Sequence, residues 1–126
     1  PKLDGIRILV VDDEPDVRDL LKRLLEEQEA RVEVCDSAHT ALEALKHTRP
    51  DVIVSDVGMP QVDGYQFMRS LRASEAPGDR IPALALTAFA RAEDRKRSLL
   101  AGYQAHIAKP FDLGELVLLV ANLAGR

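Results

Sequence analysis

Four short apolar runs in this chain each end in residues able to do chemistry. Val10-Val11 runs into Asp12-Asp13-Glu14, Val52-Ile53-Val54 into Ser55-Asp56, Leu84-Ala85-Leu86 into Thr87, and His106-Ile107-Ala108 into Lys109. The central run is β-branched, too brief for a helix, and bounded by Pro50 and by Gly58-Met59-Pro60. It reads as a strand buried on both faces. In an open parallel sheet, ligands bind at the carboxyl ends of the strands. Taken alone, Asp56 would be a solvated turn residue. Four such endings in one chain instead bring carboxylates, a hydroxyl and an amine to one sheet edge.

The chemistry those groups permit is specific. Asp12, Asp13 and Asp56 repel one another when pressed together, so the site wants a hard cation. Oxygen ligands, with no Cys or His at these positions, favour Mg²⁺, which keeps several waters and bridges readily to phosphoryl groups. Lys109 supplies a mobile positive charge for a phosphoryl oxygen, and Thr87 a hydroxyl donor. Together these stabilise charge spread over a transferring phosphoryl group. A carboxylate beside the metal can itself be the nucleophile and form an acyl phosphate. Asp56 is the candidate because its strand is central, and Asp12 and Asp13 are better placed as metal holders.

Periodicity predicts the elements that carry these groups. Arg7 to Val11 is a nearly continuous apolar strand, and Pro15 opens a helix where its missing N–H costs nothing. Val17, Leu20, Leu21, Leu24 and Leu25 form that helix's apolar stripe. A strand over Arg31 to Cys35 follows. Ser37 then caps a helix striped by Ala38, Ala41, Leu42 and Leu45. After the central strand, Asp63 reads as the N-cap of a helix from Gly64 to Ser74, with Phe67, Met68 and Leu71 inward. Asp79 falls in the turn Ala76-Pro77-Gly78-Asp79. A strand over Ala83 to Thr87 leads to the weakest amphipath, Ala92 to Ala101, which Gly102 ends. A strand over Ala105 to Ala108 precedes a last helix with Leu113, Leu116, Val117 and Val120 inward. That leaves Leu118 pointing away and Leu119 at the margin. Strand and helix alternating five times give an α/β domain, a parallel sheet with helices on both faces.

Composition removes other classes. At 126 residues and 46% hydrophobic the chain suits one domain with one core. Its longest apolar runs are too short to span a bilayer, and no signal segment opens it. One cysteine, Cys35, excludes a disulfide framework and suits a reducing compartment. The net charge of −4 argues against nucleic acid as a direct ligand. The basic residues Arg91, Arg95, Lys96 and Arg97 are interrupted by Glu93 and Asp94, which fits a solvated helix face. The chain begins at Pro1 with no Met, as expected of a piece cut from something longer.

The segments Val10-Val11-Asp12-Asp13-Glu14, Ser55-Asp56-Val57-Gly58-Met59-Pro60-Gln61-Val62-Asp63-Gly64, Leu86-Thr87-Ala88 and Lys109-Pro110-Phe111 resemble, in order and spacing, the response-regulator receiver domain of two-component signalling. The resemblance covers nearly the whole chain as one domain, 1–126, with a core of about 6–123. It implies a flavodoxin-like sheet of five parallel strands in order 2-1-3-4-5, flanked by five helices. It also implies that Asp56 is phosphorylated from a phosphohistidine, with Mg²⁺ bound by Asp13, Asp56 and the Gly58 carbonyl. Asp12 would act through a metal-bound water, and Thr87 and Lys109 would contact the phosphoryl group. The Lys109–Pro110 bond is expected to be cis. Partners implied are a histidine kinase or histidine phosphotransfer domain. A homodimer through the 92–101 helix, the 105–108 strand and the last helix is a further implication, without nucleic acid or membrane contact. The location would be cytoplasmic, either free or as the cytoplasmic part of a membrane-associated kinase. Such a domain catalyses only its own phosphotransfer and dephosphorylation.

Leu3-Asp4-Gly5-Ile6-Arg7, Leu86-Thr87-Ala88-Phe89-Ala90-Arg91 and the stretch from Ala101 to Pro110 are similar to C-terminal receivers of hybrid sensor histidine kinases. A stand-alone or DNA-binding regulator is the alternative parent. One position departs from the family pattern. Three residues before the lysine many receivers carry Tyr or Phe, and this chain has His106, with Tyr103 three residues too early. His106 reads either as an edge residue or as the switch side chain that moves with Thr87 and Ala88. Two other classes fit less well. An aspartyl-phosphate phosphatase wants a second acid where Gly58 stands, and an FMN carrier wants a hydroxyl-rich loop where Asp12-Asp13-Glu14-Pro15 stands.

Overall fold

The structure, a computed structural model, describes residues 3–59, 62–88 and 91–126. Pro60, Gln61, Phe89 and Ala90, quoted above within motifs, lie outside the described residues. The elements alternate as the periodicity predicts: β1 Arg7–Val11, α1 Pro15–Glu27, β2 Arg31–Cys35, α2 Ala38–Leu45, β3 Val52–Asp56, α3 Gly64–Ser74, β4 Ala83–Thr87, α4 Ala92–Ala101, β5 Ala105–Ala108 and α5 Leu113–Leu123. The strands pair in parallel in the order β2-β1-β3-β4-β5.

Burial follows from that order. The inner strands β3 and β4 are buried along their whole length, whereas the edge strands β2 and β5 are partly open. Alternate side chains of the sheet feed two cores. Leu9, Val11 and Ile53 pack with Phe67, Met68 and Leu71 of α3, and Ile8, Val10 and Val54 pack with Leu21, Leu25 and Leu116 from α1 and α5. Residues i and i+2 of a strand share a face, so a one-residue slip would exchange the two cores. Register is therefore fixed, and register sets the site. Val11 pairs with Ser55, Asp56 with Leu86, and Thr87 with Ala108. Asp12, Asp56, Thr87 and Lys109 consequently emerge at one edge.

Local signals set the helix ends. Ser37 and Thr40 form a reciprocal capping box on α2. The Asp63 carboxylate accepts from Gln66 N at 2.9 Å to start α3, and Gly102 ends α4 with φ 116°. Cys35 is a buried free thiol at the end of β2. Helix α4 is the weakly anchored one. Its buried residues are Ser98 and Ala101, while Leu99 and Leu100 are 56% and 77% exposed. The Asp94 Oδ2 and Ser98 Oγ atoms on its inner side have no hydrogen-bond partner among the described residues.

Two expectations need correction. Leu20 is exposed, because α1 docks through Leu21 and Leu25 and Leu20 stands about 100° around the helix from Leu21. Leu3, outside the expected core of about 6–123, is fully buried in the core on the α1 and α5 side. On α5, Leu116, Val117 and Val120 are buried, Leu119 is half-buried and Leu118 is 51% exposed, as the stripe predicts.

Leu116→Ala should therefore cost about 2–5 kcal/mol in urea unfolding. Leu118→Glu should stay within about 0.5 kcal/mol of the parent. Comparable losses from both would mean that α5 docks through a different face.

Candidate functional site

Asp12 leaves β1 fully buried, and each of its polar atoms is held by a partner. Its Oδ1 accepts from the Glu14 N–H at 2.9 Å and its Oδ2 from Lys109 Nζ at 3.2 Å. Its own N–H donates to Cys35 O at 3.1 Å, and Arg18 of α1 donates to its carbonyl at 2.8 Å. Asp56, 7% exposed, ends β3. Its Oδ1 accepts from Gly58 N at 3.2 Å and lies 3.5 Å from Lys109 Nζ. Asp13 is half-buried, and its carboxylate meets no protein donor among the described residues. Oxygens of Asp12, Asp13 and Asp56 lie within 4.8 Å of one another.

Electrostatics follow from that geometry. Burial holds the Asp56 carboxyl above its ordinary value, and Asp12 and Asp13 add to the effect. The Gly58 N–H and the Lys109 charge oppose it without cancelling it. Burial by itself would lower the Lys109 ammonium, but Asp56 and Asp12 together outweigh it and hold the amine protonated above its usual range. One ammonium thus faces three carboxylates. The donor set fits a hard divalent cation: all oxygen, closely spaced, incompletely neutralised, and with Asp13 uncommitted. Asp12, with both oxygens taken by protein donors, is less free to ligate directly.

The remaining predicted residues divide between the site and its surroundings. A hollow of about 500 Å³ opens over Asp56, walled in part by Gly58, Thr87, Ala88 and Lys109. Thr87 is buried at the strand end, and its carbonyl accepts from Lys109 N at 2.7 Å. The Lys109–Pro110 bond is cis, as the resemblance implies. His106 is half-buried on β5, in register with Ala85, and does not wall the hollow. Gly64 begins α3 so close to β3 that any Cβ would overlap the Asp56 carbonyl oxygen and lie 2.6 Å from Val57 Cα. Its N–H donates to Val57 O at 3.1 Å.

Sequence reasoning missed several participants. The Glu14 N–H could have been found, since an Asp two residues ahead of a free N–H commonly accepts from it. Arg18, one turn into α1, could have been suspected only as a basic residue facing an acidic loop. The Arg97 guanidinium lies 4.1 Å from the Tyr65 ring centroid on the far wall of the hollow. That pair spans two helices, and no local pattern announces it.

The raised Asp56 value carries a sign. A carboxyl that binds its proton more tightly when folded contributes stability below the ordinary value of 3.8, and loses it as pH rises through the raised folded value. Asp56→Asn, locked neutral, should therefore stabilise the metal-free protein near pH 7. The gap should close as pH falls below about 4, the unfolded aspartate range. Urea midpoints of both proteins across that range check this, and a gap that widens toward acid would refute it.

Comparison with known proteins agrees with this geometry. Residues 8–121 match the family model described as response regulator receiver domain. The chain is 47% identical over 114 residues to the uncharacterized 14.6 kDa protein in the sodA1 3′ region of Leptolyngbya boryana, covering 90% of this chain and 86% of that protein. It is 40% identical to response regulator Rre1 of Synechocystis, over 98% of this chain and 53% of Rre1. The chain thus spans about half the length of that regulator. Among solved structures, the receiver domain of sensor histidine kinase PA1611 from Pseudomonas aeruginosa, with a magnesium ion coordinated in its active-site cleft, superposes with a TM-score of 0.86. That match has 34% identity and covers 97% of this chain and 99% of that one.

Proposed function

The chain belongs to the response regulator receiver domain family of two-component signalling, and from that premise we propose that Asp56 is its phosphoacceptor. The observation that carries the reading is the convergence of Asp12, Asp13 and Asp56 within 4.8 Å, with Lys109 Nζ 3.2 Å from Asp12 and 3.5 Å from Asp56. Oδ1 of Asp56 is held by Gly58 N and Lys109, which leaves Oδ2 as the oxygen to attack. It attacks the phosphorus of a phosphohistidine on a histidine kinase or phosphotransfer domain. The P–N bond breaks, its electron pair stays on the imidazole nitrogen, and an acyl phosphate forms. Lys109 pairs with a phosphoryl oxygen, and the Thr87 hydroxyl donates to another. Asp13, Asp56 and the Gly58 carbonyl would hold Mg²⁺, with Asp12 behind them. When bound, the ion neutralises charge on the phosphoryl oxygens.

Readout passes through Thr87, Ala88 and His106. Thr87 moves toward the added phosphoryl charge, the small Ala88 lets the loop follow, and His106 turns into the space left behind. The surface so altered is α4, β5 and α5, where Leu99, Leu100 and Leu118 are exposed and a second copy or a signalling partner docks. The parent is a hybrid sensor histidine kinase. The PA1611 receiver, a sensor-kinase module at 34% identity, supports this. A stand-alone regulator is favoured instead by the 14.6 kDa relative, 86% of whose length this domain covers. Among the described residues no helix is long and apolar enough to cross a membrane, and a cytoplasmic location suits both parents.

Intact mass after acetyl phosphate and Mg²⁺ should show one added phosphoryl group, acid-labile and lost on Asp56→Asn. Uptake at parental yield by that variant would remove the assignment. In metal titrations Asp13→Ala should weaken Mg²⁺ binding at least about tenfold. Asp63→Ala, which removes only a helix cap, should bind nearly normally, and equal losses would deny a specific site.

The switch reading is checked separately. NMR of His106, with and without beryllofluoride as the acyl-phosphate mimic, should show its ring resonances shift as the side chain turns inward. Unchanged resonances would leave readout to Thr87 and the start of α4.

A further inference from the structure

Tyr103 is one of the largest fully buried side chains, yet it is no simple core residue. Its hydroxyl donates to the Gly64 carbonyl at 2.8 Å, across 39 residues of sequence. Gly64 stands against the backbone of Asp56 and Val57 so closely that no side chain fits between them, and its N–H closes on Val57 O. The next residue, Gly58, donates its N–H to Asp56 Oδ1. Beneath them, Ser55 Oγ donates to Asp56 O at 3.1 Å. A short hydrogen-bonded path therefore runs from the phenol through Gly64 and Val57 to the carboxylate. Burial keeps the phenol proton in place far above its ordinary range, and the nearby Asp56 charge reinforces this against the Ser55 hydroxyl. The hydroxyl is a permanent donor.

The other end of the path is anchored independently. Arg72 of α3 donates from Nε to Gly102 O at 3.0 Å and from its NH2 nitrogen to Gln104 Oε1 at 3.1 Å, so both neighbours of Tyr103 are gripped. Arg72 is itself buried against Glu75 at 2.6 Å, with side-chain exposures of 7% and 8%. Gln104 Oε1 also accepts from Ala83 N at 2.7 Å, which ties the junction to β4. A backbone held on both sides makes the phenol a fixed strut. Core packing alone would need the ring, and it would not need the oxygen aimed at Gly64.

We propose that the Tyr103 hydroxyl is a positioning group for phosphoryl acceptance, holding Gly64 against Val57 so that the Gly58 N–H keeps the Asp56 carboxylate in its reactive orientation. This rests on the reading of Asp56 as acceptor. The hydroxyl touches no reacting atom. It acts through the Val57–Gly58 peptide, and its removal leaves ring, volume and fold in place while that peptide gains freedom. Small losses of alignment at a reacting oxygen cost rate steeply.

The test is Tyr103→Phe in the whole chain, with phosphorylation by acetyl phosphate followed by intact mass at several Mg²⁺ concentrations. Ile107→Val, a core truncation on the opposite face of the sheet, controls for stability. The Phe variant should phosphorylate on the order of tenfold more slowly even at saturating Mg²⁺, the scale of one buried hydrogen bond. Ile107→Val, melting at a similar or lower temperature, should keep the parental rate. A parental rate in Tyr103→Phe overturns the proposal, as does equal slowing in Ile107→Val, which would make the effect one of stability. Phosphate uptake by Asp56→Asn at parental yield would overturn the acceptor assignment itself, and it is read on a different protein.

Discussion

The Lys109 ammonium is the contact on which the rest of the structure depends. It lies 3.2 Å from the Asp12 carboxylate, 97 residues away in sequence, and 3.5 Å from that of Asp56. Without it Asp12 would be an uncompensated charge inside the protein, a defect of several kcal/mol. The sheet order serves this pairing. With β1 and β3 adjacent, Asp12 and Asp56 emerge side by side, and β4 carries β5 to a distance that a lysine side chain can span. One cation cannot satisfy three carboxylates. The remaining demand for positive charge is the chemical property that a bound divalent cation would meet, and that cation would then also neutralise an incoming phosphoryl group.

That shortage also explains a division of labour among like residues. Asp12 has both oxygens occupied by the protein, Asp56 has one, and Asp13 has none among the described residues. Three aspartates of identical intrinsic chemistry are thereby ranked from structural to available. The ranking is written in backbone N–H groups and one amine, not in the side chains themselves.

Much of this was legible in the sequence, for identifiable reasons. Strand and helix limits were readable because both faces of the inner strands are apolar and the caps Ser37, Asp63 and Gly102 carry their own chemistry. The strand order was not readable from periodicity and came only through the family resemblance. Contacts that need two distant segments stayed invisible. The Tyr103–Gly64 bond and the Arg72 grip on Gly102 and Gln104 exist because a parallel sheet delivers far-apart residues to one place. Leu20 shows the same limit: a stripe tells which face is apolar, and only docking tells how wide the covered part is. Leu3, outside any stripe, is buried because the fold carries it onto the α1 and α5 side.

Helix α4 has a mechanical consequence. Its leucines face water, and its inner side presents an aspartate and a serine with oxygens that have found no partner among the described residues. Little apolar area is lost when such a helix shifts, and two stranded oxygens gain water. The domain thus joins a stiff chassis, β1, β3 and α3 gripped around the acidic pocket, to a panel on soft mounts. A charge change at the pocket of only a few kcal/mol is enough to re-weight the positions of such a panel. Under the proposed readout, the face best able to respond is the one from which hydrophobic anchoring was withheld.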